Sequence, residues 1–423
     1  MRVLDRIMEI WGLFKRPNYY PGESMSKIAY IGHSFHEKTG STVFFIDLLK
    51  KQFDVEIIPN YSWATGDLPD LSHLDESYIA VVIFELISED LLSAIPTRNI
   101  VYIPMVDYII NGIDSNKPEL FSFRPYSFWE MLAKRGVKII NFSACLQRLC
   151  INMGIQSLYV QYFPPPTETP EFGGELSVFY WERSDSISPE IVNTLIGSSI
   201  RTIHHHCAPD PGQCKSAMYR KDNGFISMSL TTSTWFADKD EYLRCVEGKS
   251  IYIAPRPFEG IGMSFLEAMS MGKAVVAADY PTMNEYIRNG YNGYLFDIQR
   301  PKAIDFAKIE EVRRNAYESV VSGRKRWINQ SEEIIEWIIK PIEERRRASF
   351  INVYRDLGLS PSDCPKINVR TLKVAEPVPE SADYVQQSEK GKAKKGFIRR
   401  ALRFIANITL RELVSPKVTI QVG

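Results

Sequence analysis

Short apolar runs alternate with segments of helical spacing throughout residues 25–165. The apolar runs are rich in Val, Ile, Phe and Tyr, and they read KIAYIGHS, DVEIIP, YIAVVIFEL, NIVYIPM and VKIINFS. Helix-sized segments separate most of them, and the clearest of these segments is STVFFIDLLKKQF. Apolar strands that alternate with helices are typical of a parallel sheet covered by helices on both faces. The pattern therefore predicts an α/β domain over residues 25–165.

The same alternation begins again after a segment that is rich in proline and glycine. That segment, YVQYFPPPTETPEFGGE, predicts an interdomain linker at residues 166–175. After it, LSVFYWER, SIRTIHHHC, GFISMS and SIYIAP have strand composition, whereas SPEIVNTLI and DKDEYLRCV have helical spacing. We therefore expect a doubly wound α/β protein in which two Rossmann-like halves, residues 25–165 and 176–325, face one another across a cleft.

Three further segments are predicted to lie outside the two sheets. Residues 326–355 have helical spacing and are expected to cross back toward the first half. Residues 356–389 are rich in Pro, Ser and Asp and predict a flexible tether. Residues 1–24 form an amphipathic extension whose charged face mixes signs, so packing against the protein itself is expected, with membrane contact as the alternative.

The C-terminal tail, residues 390–423, has a basic amphipathic pattern. Eight Lys or Arg residues and no acidic residue occur between Lys390 and Arg411. On a helix, one face carries apolar side chains and the other carries basic ones; the residues concerned are Phe397, Leu402 and Phe404 on the first face and Arg399, Arg400 and Arg403 on the second. This pattern predicts an interfacial helix on an anionic membrane surface, with docking onto a partner protein as the alternative.

Composition excludes some classes of function but does not identify a particular one. The chain has 423 residues, which is enough for two domains, and equal numbers of basic and acidic residues, 51 of each, so nucleic-acid binding is not expected. The six cysteines include no C-x-x-C pair, which is typical of reduced thiols. Charges interrupt the N-terminal apolar pattern, and no apolar run approaches the roughly 20 residues of a membrane span. We therefore expect a cytoplasmic protein that is peripheral on the inner face of the cell membrane.

The stretch RPFEGIGMSFLEAMSMGKAVVAAD carries the clearest candidate chemistry. Glu259 and Glu267 lie eight positions apart, and the Gly-x-Gly turn between them follows the strand SIYIAP and precedes a helix. Ligands of open α/β sheets bind beyond the carboxyl ends of the strands. The turn therefore places Glu259 at the cleft, while Glu267 lies about one turn into the helix, where it can accept hydrogen bonds from a ribose.

The glycines and backbone amides between these glutamates are suited to a phosphate. Gly260 and Gly262 allow the backbone to approach a ligand closely. The amides of Ile261, Gly262 and Met263 lie at the start of the helix, where unpaired N–H groups and the helix dipole favour anions. A nucleotide sugar fits this order, with its sugar at the first carboxylate and its ribose at the second. The alternative is a glycine loop followed by solvated helix glutamates.

The segment PFEGIGMSFLEAMSMGKAVVAADYPTMNEYIRNGYNGYLFD resembles the signature of retaining GT-B glycosyltransferases of family four, the glycogen-synthase-like group. The resemblance extends over residues 177–297 and, more thinly, over residues 27–163. It implies that Glu259 contacts the donor sugar, that Glu267 contacts the nucleotide ribose, and that both halves close on the donor while the first half supplies the acceptor. It also implies a UDP-, GDP- or dTDP-sugar as donor substrate, retention of anomeric configuration, and no cofactor or metal.

Further site residues follow from the same resemblance. Arg183 stands where the family places an arginine on the diphosphate, but the lysine that usually follows is absent; the alternative is a salt-bridged surface arginine. Gly40 resembles the family's glycine-rich loop over the donor phosphates or the acceptor, and His36 and Lys38 in this loop are candidates to face the cleft, with a surface loop as the alternative. Glu285 matches a family turn after the penultimate strand and is a further candidate.

Two acidic residues stand near the place where many relatives have a histidine close to the donor sugar. Asp107 follows one strand and Glu85 ends its neighbour, and a carboxylate there could orient sugar hydroxyls or accept the acceptor proton. The alternative for Asp107 is a helix cap. The run HHHC suggests a metal site, but consecutive strand residues alternate faces, so His204 is expected as a polar residue near the donor and no metal site is expected.

These features predict a retaining hexosyltransferase with a lipid-linked or polysaccharide acceptor. The basic tail points to bacterial surface polysaccharide assembly (lipopolysaccharide, capsule or exopolysaccharide) at the cytoplasmic membrane face. Two alternatives remain. A GT-B nucleotide-sugar epimerase shares the architecture, although the order of the two glutamates argues against it. A non-catalytic GT-B subunit that anchors a partner enzyme is favoured by the missing lysine and histidine and opposed by the intact glutamates.

Overall fold

Two parallel sheets form the framework of the protein. The computed structural model describes residues 25–113, 116–198, 200–210, 229–340 and 358–369, and for Lys38 it describes only the backbone. Within these residues there are two six-stranded parallel sheets and one three-stranded antiparallel sheet. The predicted α/β fold with two Rossmann-like parallel sheets is confirmed.

The first half is built from apolar strands connected mainly through helices. In β3, six of the seven residues are buried, which explains the continuous run YIAVVIF. The described elements are, in chain order, β1 (Lys27–His33), α1 (Phe35–Thr39), α2 (Val43–Lys50), β2 (Asp54–Asn60), α3 (Ser62–Thr65), β3 (Tyr78–Phe84), α4 (Glu89–Ala94), β4 (Ile100–Ile103), α5 (Val106–Ile109), β5 (Ile110–Ile113), β6 (Leu120–Phe123), α6 (Tyr126–Arg135), β7 (Lys138–Asn141), α7 (Ala144–Asn152) and β8 (Ser157–Tyr159). The strand order of its parallel sheet is β2-β1-β3-β4-β7-β8.

The second half repeats this construction. Its described elements are β9 (Ser177–Glu182), α8 (Pro189–Ile196), β10 (Thr202–Cys207), β11 (Ser229–Ser233), α9 (Lys239–Glu247), β12 (Ile251–Ile253), α10 (Met263–Ser270), β13 (Ala274–Ala278), α11 (Met283–Tyr286), β14 (Tyr294–Phe296), α12 (Ile309–Ile339) and β15 (Lys366–Asn368). The sheet order is β11-β10-β9-β12-β13-β14, which is the 3-2-1-4-5-6 order of dinucleotide-binding sheets.

Each parallel sheet has one place where the direction of strand progression reverses. In the first sheet β1 pairs with β3, and in the second sheet β9 pairs with β12. The connections that leave such a pair run to opposite sides, so a crevice opens beyond the carboxyl ends of the two strands. The loops after β1, β3, β9 and β12 are therefore the expected walls of a ligand site.

The long helix α12 connects the two halves. Near its beginning, the Arg313 guanidinium donates to the carbonyls of Gly272 and Glu171 at 3.0 and 2.6 Å. At its end, the buried ammonium of Lys138 in β7 donates to the carbonyls of Trp337 and Ile338 at 2.6 and 3.0 Å, and to that of Lys340. Carbonyls at the end of a helix lack partners within the helix, and Nδ2 of Asn99 also donates to the carbonyl of Ile338 at 2.9 Å. Lys138 and Asn99 thus tie the end of α12 to the first half.

Part of the predicted tether is folded. Residues 366–368 form β15, which pairs antiparallel with β6 in the small sheet β15-β6-β5. Ile367 and Val369 are buried there. The prediction of a loose tether over residues 356–389 is therefore wrong for this strand, because its apolar side chains pack on the first half.

Other predicted bounds shift by a few residues. The predicted strand GFISMS lies largely outside the described residues, and the described strand β11 begins only at Ser229. The helix predicted within residues 326–355 begins earlier, at Ile309. The segment before it is held against α8, where the amide of Ile304 donates to the carbonyl of Leu195 at 2.9 Å. Helix α12 runs without a break through the predicted boundary at residues 325 and 326.

Candidate active site

A cavity of about 1140 Å³ lies beyond the carboxyl ends of the central strands of both sheets. Its volume is slightly above the roughly 300–1,000 Å³ of common ligand pockets. The first half contributes His33, His36, Glu85, Met105 and Asp107, and the second half contributes Arg183, Asp210, Lys239, Arg256, Glu259, Gly260, Ile261, Gly262, Met263 and Glu267. The cavity therefore brings together charged residues from segments that are distant in sequence.

Glu259 lies in the turn after β12. The residue is 7% exposed, and its Oε1 has no hydrogen-bond partner among the described residues. Thr282 fixes the turn from behind, because its hydroxyl donates to the carbonyls of Glu259 and Gly260 at 2.6 and 3.0 Å. A buried carboxylate oxygen without a partner is energetically unfavourable. Glu259 is thus placed to accept a hydrogen bond from a ligand hydroxyl.

The two glycines of this turn are required by their surroundings. A Cβ atom on Gly260 would lie 2.5 Å from Sδ of Met105, so the turn touches the first half at this point. Gly262 has φ +80°, and a Cβ atom there would lie 2.0 Å from the ring of Phe265. Gly262 is also the N-cap of α10, and no side chain caps the helix. The first amides of α10, beginning at Met263, are therefore available to an anion in the cavity.

Glu267 lies in α10 and lines the same cavity as Glu259. Its side chain is 13% exposed, and Oε1 pairs with Nζ of Lys239 at 2.5 Å. Burial raises the pKa of the Glu267 carboxyl, and the Lys239 ammonium opposes this shift. Lys239, which sequence reasoning did not single out, therefore restrains the position of this carboxylate.

Two arginines and two aspartates form a chain of ion pairs in the cavity. Nε of Arg183 donates to both carboxylate oxygens of Asp210, at 2.9 and 3.0 Å. Nη2 of Arg256 binds the same carboxylate, while its Nη1 donates to Oδ2 of Asp107 at 3.1 Å. Asp107 belongs to the first half and the other three residues to the second, so the chain of pairs joins the halves.

Sequence reasoning missed Arg256 and Asp210. Arg256 stands three residues before Glu259, at the end of a predicted strand, and that position was a usable signal. Asp210 gave no such signal, because its contact with Arg256 joins residues 46 positions apart.

Asp107 is a buried carboxyl whose pKa is raised toward neutrality. Burial is the main cause that raises the pKa of its carboxyl to about 7, the nearby Glu85 adds to the rise, and Arg256 opposes it. Oδ1 of Asp107 has no hydrogen-bond partner among the described residues. The N-cap of α5 is Met105, so Asp107 is not the cap of this helix.

His36 and Glu85 meet at the reversal point of the first sheet. Nε2 of His36 lies 3.2 Å from Oε2 of Glu85, and Nδ1 of His36 has no partner among the described residues. Glu85 has φ +71°, a strained conformation for a residue with a side chain. The hydroxyl of Tyr102 donates to the carbonyl of Glu85 at 2.9 Å and supports this conformation.

Gly40 contributes to the loop geometry without lining the cavity. It ends α1 with φ +64°, which favours glycine, and its neighbours Thr39 and Ser41 line the cavity instead. The side chain of Lys38, predicted to face the cleft, is outside the described part of the structure.

His204 does not line the cavity, whereas His206 does. Both point to the same face of β10, where His204 bonds to Thr231 and Ser233 at 2.9 and 2.8 Å. His206 is two residues nearer the carboxyl end of the strand and therefore nearer the cavity. The expectation for His204 is thus corrected in favour of His206.

On the opposite face of β10, three potential metal ligands cluster. Atoms of Glu182, His205 and Cys207 lie within 4.8 Å of one another, and Nε2 of His205 is 2.8 Å from Oε2 of Glu182. These residues are not part of the cavity lining.

Glu285 also lies outside the cavity lining. Its buried carboxylate accepts hydrogen bonds from the hydroxyl of Ser143 and from the amides of Ala144 and Cys145, at 2.7, 2.6 and 3.1 Å. Burial raises the pKa of Glu285 to about 7, and these hydrogen bonds limit the rise. Glu285 therefore binds the start of α7 in the first half.

The predicted amphipathic ends lie outside the described residues, including Phe397, Arg399, Arg400, Leu402, Arg403 and Phe404. In the part of the chain that is described, no helix combines the length and the apolar character needed to cross a membrane.

Comparison with known proteins gives a family match over part of the chain. Residues 231–346 match the profile of the family described as Glycosyl transferases group 1. This segment includes Lys239, Arg256, Glu259 and Glu267 of the cavity. A sucrose synthase from Melioribacter roseus is 41% identical over 63 residues, which are 14% of this chain and 8% of the synthase.

Several solved structures are similar to parts of the chain at low identity. TarM is 15% identical, with 66% of this chain and 55% of TarM covered and a TM-score of 0.39. Anabaena Alr3699/HepE in complex with UDP and glucose is 16% identical, with 74% of this chain and 98% of HepE covered and a TM-score of 0.48. The chain thus spans about half of TarM and a small part of the sucrose synthase.

Proposed function

We propose that the protein is a retaining GT-B glycosyltransferase that transfers a sugar from a nucleotide sugar to a glycan acceptor. The observation that carries the proposal is the buried, unpaired Oε1 of Glu259 in the cavity, eight positions before the cavity-lining Glu267. The match of residues 231–346 to Glycosyl transferases group 1 supports the same assignment.

We assign the donor one orientation in the cavity. Its sugar hydroxyls are assigned to Glu259, whose free oxygen accepts hydrogen bonds. Its diphosphate is assigned to the first amides of α10 and to Arg183, because both favour a doubly charged anion. Its ribose is assigned to Glu267, which Lys239 holds in place at 2.5 Å. The base is left open among UDP-, GDP- and dTDP-sugars.

The proposed reaction exchanges one bond at C1 of the donor sugar. The bond from C1 to the phosphate oxygen breaks, the acceptor oxygen bonds to C1 from the same face, and the diphosphate leaves with the bonding electrons. Preorganised donors around the leaving diphosphate stabilise its developing charge. Asp107 is the candidate base for the acceptor proton, because its pKa of about 7 allows it to exchange a proton near neutral pH.

The acceptor is assigned to the first half. His36 and Glu85 face the cavity there, and the strained backbone of Glu85 is of the kind that occurs at functional sites. The basic amphipathic pattern of residues 390–423 supports a lipid-linked or polysaccharide acceptor at the inner face of the membrane. A role in bacterial surface polysaccharide assembly follows from that tail.

The test begins with donor binding by the full-length protein. Thermal shift with UDP-, GDP- and dTDP-sugars should identify the base, since ligand at about 100 times its dissociation constant adds roughly 2.7 kcal/mol of stability. Release of nucleoside diphosphate is then measured with and without glycan acceptors. Release that Glu259→Gln abolishes supports the transferase. Interconversion of the free nucleotide sugar without an acceptor would identify an epimerase, and binding without any turnover would identify a non-catalytic subunit.

A further inference from the structure

We propose that Arg256 is the second cation of the donor diphosphate site and that Asp210 competes with the diphosphate for it. The proposal depends on the proposed function, because the anion concerned belongs to a nucleotide-sugar donor. It names a residue that takes the place of the lysine missing after Arg183, and it identifies an internal anion that the donor must displace.

The carboxylate of Asp210 lies where two guanidinium groups converge. Arg183 donates through Nε to both of its oxygens, at 2.9 and 3.0 Å, and Arg256 binds one of them through Nη2. Two arginines around a single anion, each through planar N–H groups, form the arrangement that phosphate oxygens require. Asp210 therefore occupies the position in which a phosphate would satisfy the same donors.

The location of this arrangement also fits a diphosphate. Arg183 follows β9 and Arg256 follows β12, and these two strands are hydrogen-bonded neighbours at the reversal point of the second sheet. The crevice at such a point is where α/β sheets bind nucleotides. Arg256 is also in the same loop as Glu259, with Nη1 3.9 Å from its Oε2. Arg256 thus adjoins the proposed sugar contact, Glu259.

The other cation of the cavity is less suitable. The side chain of Lys239 is 48% exposed and pairs with Glu267 rather than with the carboxylate that joins the arginines. Arg256 is more enclosed, at 26% exposure, and its guanidinium is held on two sides by Asp107 and Asp210. Guanidinium groups held in a fixed orientation bind phosphate with less loss of side-chain freedom.

Asp210 is able to move away from the arginines. It follows the end of β10 by three residues, in an irregular segment, so its displacement does not require any strand pairing to break. Its amide contacts the carbonyl of Arg183 at 3.3 Å, which is a long hydrogen bond. A diphosphate carries more negative charge than a carboxylate and therefore competes favourably for the same two cations.

Ion-pair exchange of this kind makes opposite predictions for the two residues. Loss of Arg256 removes a cation and should weaken diphosphate binding. Loss of the Asp210 charge removes the competitor and should strengthen it. A purely structural role for the ion-pair chain would instead make both variants bind more weakly, because each would loosen the cavity.

The experiment compares nucleoside diphosphates with the matching monophosphates by calorimetry on the full-length protein. UDP, GDP and dTDP are compared with UMP, GMP and dTMP. For each base that binds, the recorded ratio is the affinity for the diphosphate divided by the affinity for the monophosphate. Arg256→Ala should reduce this ratio about tenfold or more, Arg256→Lys should reduce it less, and Asp210→Asn should increase it about threefold or more. The ratio is insensitive to partial unfolding, because unfolding reduces both affinities equally.

Two matched control variants each remove one charge, positive or negative, from a residue outside the cavity. Arg201→Ala changes an exposed arginine just before β10, and Asp47→Asn changes an exposed aspartate on α2; neither lines the cavity, and both should leave the ratio unchanged. In the double variant of Arg256→Ala and Asp210→Asn, the gain from Asp210→Asn should be smaller than in the wild type, because one of its two arginines is gone.

Each outcome decides the proposal. A ratio in Arg256→Ala equal to that in Arg201→Ala, or a ratio in Asp210→Asn no higher than that in Asp47→Asn, would overturn it while the proposed transferase stands. If the wild type binds none of the nucleotides, this inference and the proposed function both fail.

Discussion

Glu285 and Ser143 join the two halves of the protein through a buried hydrogen bond of 2.7 Å. The same carboxylate also accepts hydrogen bonds from the first two amides of α7. One side chain of the second half thus caps the beginning of a helix in the first half. The sequence makes Glu285 a candidate for the donor site, and the structure assigns it to the contact between the halves instead.

Replacement of Glu285 tests this contact through the pH dependence of stability. Its pKa rises from 4.5 to about 7 on folding, so the folded state binds more protons between these pH values. The contribution of Glu285 to stability is therefore fully present below pH 4.5 and is lost as pH rises to about 7. Denaturant unfolding of wild type and Glu285→Gln at several pH values should show a difference that shrinks across this range.

At the acidic end of the range, Glu285→Gln should be less stable by about 1–3 kcal/mol, because one buried amide loses its acceptor. Glu311→Gln, an exposed change on α12, serves as control. A difference that grows as pH rises would contradict the assignment.

Replacement of Lys138 should destabilise the connection through α12. Lys138→Met keeps the apolar stem but removes the ammonium from three carbonyls at the end of the helix. We expect a loss of about 1–3 kcal/mol in the free energy of unfolding, measured with denaturant. Lys50→Met, at an exposed lysine at the end of α2, is the control. Equal stability of Lys138→Met and wild type would show that the carbonyls find other partners.

Replacement of Glu259 should separate turnover from nucleotide binding. Glu259→Gln keeps the shape of the side chain but removes the charge of the buried carboxylate. We expect sugar transfer to fall about 100-fold or more, while affinity for the nucleoside diphosphate changes less than about threefold, because the carboxylate is assigned to the sugar. Transfer rates and calorimetry on the same preparations measure the two effects. Sugar transfer by Glu259→Gln at the rate of the wild type would show that this carboxylate is not required for the reaction.

Replacement of Glu267 should affect recognition of the ribose. For a uracil or guanine donor, the wild type should bind UDP or GDP more tightly than the matching 2′-deoxy compound, and Glu267→Ala should lose most of this preference. The physical reason is that only the ribose offers the extra hydroxyl to the carboxylate that Lys239 positions. A preference that persists in Glu267→Ala would place the ribose elsewhere.

Removal of the basic tail should weaken membrane association. Deletion of residues 390–423 removes all nine of its basic residues, including the eight between Lys390 and Arg411, together with its apolar residues. We expect the full chain to float with liposomes that contain anionic lipid, and the shortened chain to remain in solution, with greater recovery of the full chain at low salt. Neutral liposomes are the control. Equal recovery of both forms would exclude the tail as a membrane anchor.

The elements that could be predicted from the sequence are those that depend on local patterns. The turn around Gly260 and Gly262 is predictable in place because strand, glycines and helix follow one another within a single segment. The site roles of Glu259 and Glu267 stay predictions, although the structure brings both to the cavity.

Features that depend on distant residues could not be predicted in this way. The pairing of Arg256 with Asp107 joins residues 149 positions apart, and β15 pairs with β6 across an even wider gap. No local composition reveals such contacts, because they are determined by how the sheets pack. His206 is different, because it shares a face with His204 and stands two residues nearer the carboxyl end of β10. Its position nearer the cavity could therefore have been predicted from the sequence.

Helix α12 restricts how the two halves can move. Its 31 residues give a rod about 46 Å long, anchored by Arg313 at one end and by Lys138 at the other. The polypeptide thus passes between the halves at two separate places, the linker and this helix. The linker and α12 therefore act as two hinge points, and two points define one rotation axis. Opening and closing of the cleft should be a hinge rotation about the line that joins them, and sideways sliding of one sheet over the other is disfavoured.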